Sequence, residues 1–349
     1  MGRGARVQVL QMQGDRERIV RDRRFTRVPM WTPPHNRFEQ PALGVELLKL
    51  RPRPQLVHSP DFVPPRYRTM RAVANIQDLA FLKFPDLTLL TDESKRYYGQ
   101  VHRAAQDADA LIALSNSARD DIVSLLGVKA EKMAVIPAAA GEQFKPPGDF
   151  RRAQELASRE FRLPQPGEGG YILFVGTIEP RKNLPTLLEA YRKVLDAGRV
   201  APAPALAVAG REGWLFEQVH ARIDELRLWE RVRLLGGVSD EALVRLYQGA
   251  RAFAMPSLYE GFGLPVLEAM QSGVPVVSSN AGSLAEVAGD AAILVEPVDV
   301  DGWAASMERV LLDQWEVERM IGAGLSQARG FSWERAARET WELYERVAG

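Results

Sequence analysis

The second half of the chain alternates short apolar runs with amphipathic stretches. Each apolar run ends in Gly, Pro, Ser or a charged residue, and the stretches between them, such as 184–198, carry apolar residues at helical spacing. This alternation is typical of βαβ units whose parallel strands are buried on both faces of a sheet. The predicted strands are 171–176, 205–210, 231–236, 251–256, 274–279 and 291–296.

The first half carries the same alternation less regularly. Helices are expected at 92–107 and 117–126, where Gly127 provides a stop and Ser117 with Asp120 approximates a capping box. The predicted strands of this half are 55–60, 71–76, 110–115 and 133–138. The pattern predicts an α/β fold of two doubly wound, Rossmann-like domains, facing each other across a cleft lined by the carboxyl ends of both sheets.

A segment rich in Pro, Gly and charged residues, 144–170, joins the two halves. Such composition is typical of a domain boundary. It divides the chain into an acceptor-side domain at 1–147 and a second domain at 148–330. A last helix, about 331–349, is expected to pack back on the first domain. Its apolar stripe consists of Trp333, Ala337, Trp341 and Tyr344.

Composition narrows the class of protein. The 45 basic and 45 acidic residues cancel, so no overall field favours nucleic acid as a partner. Residues 1–60 hold twelve Lys/Arg against five Asp/Glu, which indicates contact with an acidic membrane surface or anionic substrate, or else a solvated arginine-rich face.

The lack of cysteine excludes disulfides and thiolate chemistry. With no apolar run near the roughly 20 residues of a membrane span, we expect a cytoplasmic protein, with peripheral membrane contact left open.

The stretch "GTIEPRKNLPTLLEA" follows a predicted strand and opens a helix. Asn183 can cap that helix and Pro185 suits its first turn. Arg181 offers a planar fork of donors and Lys182 a point charge beside the free amides of the helix, while Thr177 adds a hydroxyl. The pattern predicts a diphosphate site, with a surface basic pair at an ordinary helix start as the alternative.

The stretch "SLYEGFGLPVLEAM", residues 257–270, places two glutamates around a glycine-rich turn. Gly261 and Gly263 let backbone amides approach a ligand without obstruction by a Cβ atom. Glu260 before the turn and Glu268 one turn into the helix can reach the same edge of the sheet. Two acceptor-only carboxylates suit the paired hydroxyls of a ribose and a hexose. The alternative is one glutamate favoured by the helix dipole and one solvated glutamate.

Two further strand-to-helix openings lie in this half. Ser283 and Glu286 form a second S-x-x-E pattern, which predicts a capping box. Val238 follows a predicted strand, where an apolar side chain could line a base pocket. Two D-x-D pairs are expected to be structural rather than metal-binding: Asp107 with Asp109, and Asp299 with Asp301.

These motifs resemble glycosyltransferase family 4, a family of retaining GT-B enzymes that includes many mannosyl- and other hexosyltransferases. The resemblance rests on "GTIEPRKN", on "GGVSDEALVRLY" and above all on "SLYEGFGLPVLEAMQSGVPVVSSNAGSLAEVAGDAAILV". Glu260 and Glu268 match the E-x7-E signature of that family. The resemblance is continuous over about 170–345 and looser in the first half.

The resemblance implies a role for each matching residue. Arg181 and Lys182 would hold the donor diphosphate, Glu268 the ribose, and Val238 the base. Glu260 would grip the transferred hexose and phosphate together with the amides of the following loop, which comprises Gly261, Phe262, Gly263 and Leu264. Members of the family transfer a sugar with retention, usually without a metal ion or other cofactor.

Two departures from the family pattern concern the first domain. Gln77-Asp78 stands where the family usually has His-Asp, and Gln can donate a hydrogen bond but cannot carry charge. No opening strand with a glycine-rich loop is recognisable before residue 55. A truncated start, a remnant in "MGRG" and an unusual member of the family are the three explanations left open.

The sequence thus predicts a metal-independent, retaining transfer of a hexose from a nucleotide-diphospho-sugar to a hydroxyl of a glycan or lipid-linked acceptor. Mannose is the favoured sugar, with GDP-mannose preferred to a UDP-sugar as donor. One alternative is a nucleotide-sugar-binding protein with weak or no turnover. The other is a hydrolase in which Glu260 and Glu268 serve as acid and nucleophile; the neighbouring phosphate-binding features argue against it.

Overall fold

A computed structural model describes residues 6–15, 20, 22, 24–32, 39–88 and 91–349. Within these ranges the strands are β1 Val7–Met12, β2 Phe25–Met30, β3 Leu56–Ser59, β4 Arg71–Asn75, β5 Ala110–Ala113, β6 Met133–Val135, β7 Tyr171–Val175, β8 Ala205–Ala209, β9 Val232–Gly236, β10 Ala252–Met255, β11 Val276–Ser279 and β12 Ala292–Val295. The helices of the first half are α1 Glu39–Lys49, α2 Ala80–Lys83, α3 Pro85–Thr88, α4 Asp92–Tyr98, α5 Val101–Asp107 and α6 Asn116–Leu126. Those of the second half are α7 Phe150–Phe161, α8 Leu184–Ala197, α9 Glu217–Glu225, α10 Asp240–Gly249, α11 Leu264–Gln271, α12 Leu284–Ala288, α13 Val300–Leu312, α14 Gln314–Ala328 and α15 Trp333–Ala348. Short 3₁₀ turns occupy Ala130–Lys132, Pro166–Glu168, Pro180–Lys182 and Gly289–Ala291.

The second half forms a six-stranded parallel sheet in the order β12-β11-β10-β7-β8-β9. Alternate residues of β7 enter different cores, with Tyr171 and Leu173 on one face and Ile172 and Phe174 on the other. Both faces are covered, which is why the strand sequences are continuously apolar. All six strands predicted here are confirmed, and so is the doubly wound class.

The first half contains a four-stranded parallel sheet in the order β3-β4-β5-β6, and the four strands predicted from the sequence are confirmed. Two strands precede residue 55, where no opening strand could be recognised from the sequence. β1 and β2 pair in parallel as a separate two-stranded sheet. Their side chains are mostly half-buried and interleaved with Gln, Thr and Arg, so no continuous apolar run marks them. "MGRG" lies outside the described residues, so the absence of a glycine-rich loop stays a prediction.

The chain crosses back to the first half through α15. Ala336 and Leu343 enter one core with Val73 and Ile112 of the first sheet. The predicted stripe was wrong in part, because Trp333 is 54% exposed and Ala337 also faces solvent. The residues of α15 that face the strands are Ala336 and Leu343, together with Tyr344.

Tyr344 belongs to the contacting face of α15 as predicted. Its hydroxyl lies against Nδ1 of His58, whose Nε2 is 2.8 Å from Oδ1 of Asn75. This polar contact ties the last helix to β3 and β4, next to the apolar cluster.

The two halves also contact each other at the start of α6. Its N-cap is Ser115, whose Oγ accepts from the Ala118 amide and donates to the Gly261 carbonyl at 2.9 Å. The capping box predicted at Ser117 was therefore wrong, although Gly127 does end the helix with φ 62°.

Glu286 joins the same seam from the second half. Its carboxylate accepts the Asn116 amide at 2.9 Å and so caps a helix of the other half. The predicted box of Ser283 with Glu286 was accordingly wrong, since the Ser283 hydroxyl donates to the Glu260 carbonyl at 2.9 Å. The prediction assumed that the two side chains cap their own helix, whereas both have partners distant in sequence.

Among the described residues, no helix combines the length and apolarity that crossing a membrane requires.

Candidate functional site

The predicted diphosphate residues and the first predicted glutamate meet at one edge of the second sheet. Arg181 and Lys182 lie in the 3₁₀ turn after β7, and Glu260 follows β10. Because β7 and β10 are hydrogen-bonded parallel neighbours, their carboxyl ends adjoin. Strand order thus brings together side chains that are 78 and 79 positions apart.

Glu260 is the centre of a buried ion network. Lys182 Nζ donates to Glu260 Oε1 at 2.6 Å, and Arg181 NH1 donates to Glu260 Oε2 at 3.0 Å. The hydroxyl of Ser257 donates to Glu260 Oε1 at 2.7 Å. Arg181 also donates to the Tyr259 carbonyl at 2.8 Å and, through Nε and NH2, to Glu179 Oε1. The network therefore fixes both cations against the glutamate.

Burial and charge act in opposite directions on Glu260. Burial is the largest effect and would raise the pKa of its carboxyl, but Lys182 and Arg181 outweigh it and hold the pKa below its ordinary value. Glu260 is therefore an ionised, fully hydrogen-bonded carboxylate that cannot serve as a proton donor.

The loop after Glu260 requires its glycines. A Cβ atom on Gly261 would lie 2.1 Å from the carbonyl oxygen of Gln77 in the other half, and Gly263 has φ 102°. Phe262 between them is buried and packs edge-to-face on Phe331, with ring centroids 5.7 Å apart. The loop is therefore in close contact with both halves of the molecule.

The backbone of this loop presents unpaired donors. No acceptor within the described part of the chain takes a hydrogen bond from the N–H groups of Gly261, Phe262, Gly263 or Leu264. Buried amides in folded proteins are nearly always paired, and consecutive amides at the start of a helix favour an anion. The loop and the start of α11 therefore form a candidate anion site beside the ion network.

Glu268 has the opposite environment to Glu260. It is half-buried on α11, where the fully buried Tyr247 donates a hydrogen bond to its Oε2 at 3.0 Å. Burial raises the pKa of Glu268 to about 7; the Tyr247 hydrogen bond lowers it and Asp240 raises it further. The two glutamates predicted as a pair thus differ in charge near neutral pH.

The other predicted residues follow the carboxyl ends of strands in both halves. Thr177 and Gln77 have exposed side chains just past β7 and β4, and Leu264 is 37% exposed at the start of α11. Val238 is half-buried and packs against the apolar core on one face of the sheet, which includes residues of β7. Gln77 meets the second half through its backbone, at the contact with Gly261.

Asn183 does not cap α8 through its side chain, contrary to expectation. Its side-chain amide instead donates to the carbonyls of Pro256 and Pro297 at 3.0 and 2.7 Å. This ties the turn holding Lys182 to two other strand ends.

Three functional neighbours were missed from the sequence. Ser257 and Glu179 hold the ion network, and Tyr247 holds Glu268. Ser257 and Glu179 stand inside the two motifs, so strand order would have identified them. Tyr247 gave no signal beyond an apolar position on a helix.

No group of three or more His, Asp or Glu side chains that could hold a metal ion occurs among the described residues. Asp109 pairs with Arg71 at 2.8 Å, Asp299 caps α13, and Asp301 pairs with Lys193. Each of these carboxylates has a structural partner. The independence of the reaction from metal stays a prediction.

The chain is similar to several known proteins. Residues 158–327 match the model for glycosyl transferases group 1, and residues 1–139 match that for glycosyltransferase family 4. The O-antigen chain mannosyltransferase B of Escherichia coli is 33% identical over 290 residues, or 83% of this chain and 74% of that protein. The MMP alpha-(1->4)-mannosyltransferase of Mycolicibacterium hassiacum is 31% identical over 72% of this chain and 58% of its own length. Sucrose-phosphate synthase from Thermosynechococcus elongatus superposes with a TM-score of 0.77 at 20% identity, covering 99% and 89% of the two chains.

Two parallel, helix-covered sheets facing across a cleft define the GT-B class of glycosyltransferase, as predicted. Within that class the chain belongs to glycosyltransferase family 4, whose group 1 domain spans the ion network and the glycine-rich loop.

Replacing Glu260 with Gln should lower the free energy of unfolding by roughly 3–5 kcal/mol, because it leaves two buried cations without their counter-charge. The measurement is the midpoint of urea unfolding. Asp301→Asn is the matched control. The Asp301 side chain is itself 83% exposed, so loss of its ion pair should not move the midpoint. An unchanged midpoint for Glu260→Gln would contradict the importance of the network.

The raised pKa of Glu268 predicts a pH dependence of stability. The folded protein keeps a proton that the unfolded chain has released, so the contribution of Glu268 to stability falls as the pH rises from 4.5 to about 7. Glu268→Gln should remove that part of the slope. Melting temperatures of both proteins at pH 5, 6, 7 and 8 measure it, and parallel curves would show that Glu268 is not perturbed.

Proposed function

We propose that this protein is a retaining mannosyltransferase that moves mannose from a nucleotide-diphospho-sugar, GDP-mannose, to a hydroxyl of a glycan or lipid-linked acceptor. The observation that carries the proposal is the set of four amides, Gly261 to Leu264, that have no acceptor within the described residues. They directly follow Glu260, the ion-pair partner of Lys182 and Arg181. A diphosphate is the donor group that uses amides and cations together.

Lys182 is the main candidate for the diphosphate contact. Its ammonium has three N–H donors and gives one to Glu260, with no other acceptor in the described residues. Arg181 has less capacity, because Glu179, Glu260 and the Tyr259 carbonyl already take most of its donors. Lys182 can therefore share a phosphate oxygen with Glu260, while Arg181 adds charge and shape.

Glu260 acts, in this proposal, by holding the two cations in place. Sequence resemblance implied that it also grips the hexose, but both of its oxygens are engaged by Lys182, Ser257 and Arg181. The hexose would then lie on the amides of the loop and on the exposed side chain of Gln77. Gln77 can donate to a sugar hydroxyl without carrying charge.

Glu268 and Val238 would hold the nucleoside. A carboxylate accepts from the two ribose hydroxyls only when it is ionised, and Tyr247 keeps one of its oxygens oriented. Since the pKa of Glu268 is about 7, nucleotide binding should strengthen as the pH rises through neutrality. Val238 offers an apolar surface beside a base, and Thr177 a hydroxyl beside the phosphates.

The chemical step follows from this placement. The acceptor hydroxyl attacks the anomeric carbon on the face from which the diphosphate leaves, and a leaving phosphate oxygen takes its proton. Lys182 and the loop amides stabilise the charge that builds on the leaving group. The two halves of the molecule orient donor and acceptor, and no step requires a metal ion.

The choice of mannose draws on the relatives. Both curated relatives named above are described as mannosyltransferases, and one of them acts on an O-antigen chain. The second candidate function is a nucleotide-sugar-binding protein with little turnover, which the uncharged Gln77 favours. A hydrolase is disfavoured, because Glu260 is held ionised and cannot be the acid. It is also a poor nucleophile, because both of its oxygens are engaged by Lys182, Ser257 and Arg181.

A thermal-shift panel tests the donor. GDP should raise the melting temperature more than UDP or ADP, because a ligand that binds only the folded state stabilises it. Glu268→Ala should mainly weaken GDP binding, and Lys182→Ala should mainly lower the rate of mannosyl transfer from GDP-mannose. Lys193→Ala, an exposed lysine of the same half, is the control and should match the parent.

Each outcome of that panel has a distinct meaning. A shift with UDP alone would move the donor to a UDP-sugar. GDP binding without transfer to varied acceptors would favour the binding protein. Parent-like binding and transfer by both Glu268→Ala and Lys182→Ala would show that the donor site lies elsewhere.

A further inference from the structure

A pocket of about 430 Å³ lies between the two halves, with Arg181 in its wall. The first half supplies seven of its lining residues and the second half three. Its lining includes Asp78, Phe81 and Tyr98 from the first half, and Glu179, Arg181 and Trp214 from the second. The donor roles described above leave this pocket unused.

Aromatic rings form one part of the pocket wall. Phe81 and Tyr98 stack with centroids 4.2 Å apart, and Trp214 adds an indole that is 36% exposed. Rigid flat rings of this kind offer large contact area at low entropic cost. The C–H faces of a pyranose ring are a suitable apolar partner for them.

Two carboxylates add hydrogen-bonding capacity that the protein does not use. Asp78 Oδ1 accepts the Ala80 amide at 3.0 Å, and no described residue donates to Oδ2. Glu179 receives Arg181 Nε and NH2 on Oε1 alone, which leaves its Oε2 without a donor in the described part of the chain. Acceptors in a pocket need donors, and sugar hydroxyls supply them.

Trp214 belongs to the second half but is anchored to the first. Its indole Nε1 donates to the carbonyl of Leu87, which fixes the ring across the cleft. The pocket is therefore complete only when the two halves are together.

Charge in the pocket disfavours an anionic ligand. The positive charge of Arg181 is met by Glu260 and Glu179, and Asp78 adds a negative charge nearby. A phosphorylated sugar would face the unpaired oxygens of Asp78 and Glu179 at close range. A neutral sugar would not.

We infer that this pocket is the subsite for a neutral hexopyranose unit of the acceptor, held by hydrogen bonds to Asp78 and Glu179 and by contact with Trp214. The inference rests on the proposed function for the identity of the acceptor. Arg181 lies on the boundary of both sites, so a sugar in the pocket is adjacent to the departing phosphate.

The direct test is binding, measured by saturation-transfer NMR with α-1,2-mannobiose as probe in the presence of GDP. The parent should transfer saturation to mannobiose, and Trp214→Ala should raise its dissociation constant about tenfold, which corresponds to 1.4 kcal/mol. Trp214→Phe should recover part of the affinity, and Asp78→Asn should weaken it. Trp229→Ala, another exposed tryptophan of the same half, should leave it unchanged.

The thermal shift given by GDP separates the subsite from the donor site and from folding. It should be equal in the parent, Trp214→Ala and Asp78→Asn, because these residues do not touch the donor. Absence of mannobiose binding to the parent, parent-like affinity of Trp214→Ala, or equal binding of mannose 6-phosphate would overturn the subsite. Mannobiose binding that Trp214→Ala abolishes, without any mannosyl transfer by the parent, would uphold the subsite and contradict the proposed function.

Discussion

The buried ion network of Glu260, Lys182 and Arg181 is the interaction on which the site depends. An ionised carboxylate is expensive to bury, and only two cations and a hydroxyl at hydrogen-bond distance make it stable there. In turn, Glu260 fixes where the loop of Gly261 begins and where both cations point. The candidate anion site of loop amides and the pocket beside Arg181 both adjoin residues of that network.

The second constraint is the close approach of the two halves at Gly261. A side chain there would collide with the backbone of Gln77, and the Gly261 carbonyl accepts from Ser115. Glu286 caps α6 across the same seam. The loop that would hold the donor phosphates is thus also the loop at which the two halves make contact.

The strands of the six- and four-stranded sheets were predictable because burial makes most of their sequences apolar. β1 and β2 were not, because half-exposed residues leave no such signal. Arg181, Lys182 and Glu260 could be brought together from strand order alone. Glu286, Tyr247 and Trp214 could not, because their partners are distant in sequence and each was locally an ordinary cap, core or surface residue.

The most direct test of the account is a crystal structure of the protein with GDP. The diphosphate should lie within hydrogen-bond distance of Lys182 Nζ and of the Gly263 and Leu264 amides. The ribose should lie on Glu268, and Glu260 should still be bound to both cations. A nucleotide bound away from this loop, or a Glu260 carboxylate turned out of the network to hold it, would contradict the account.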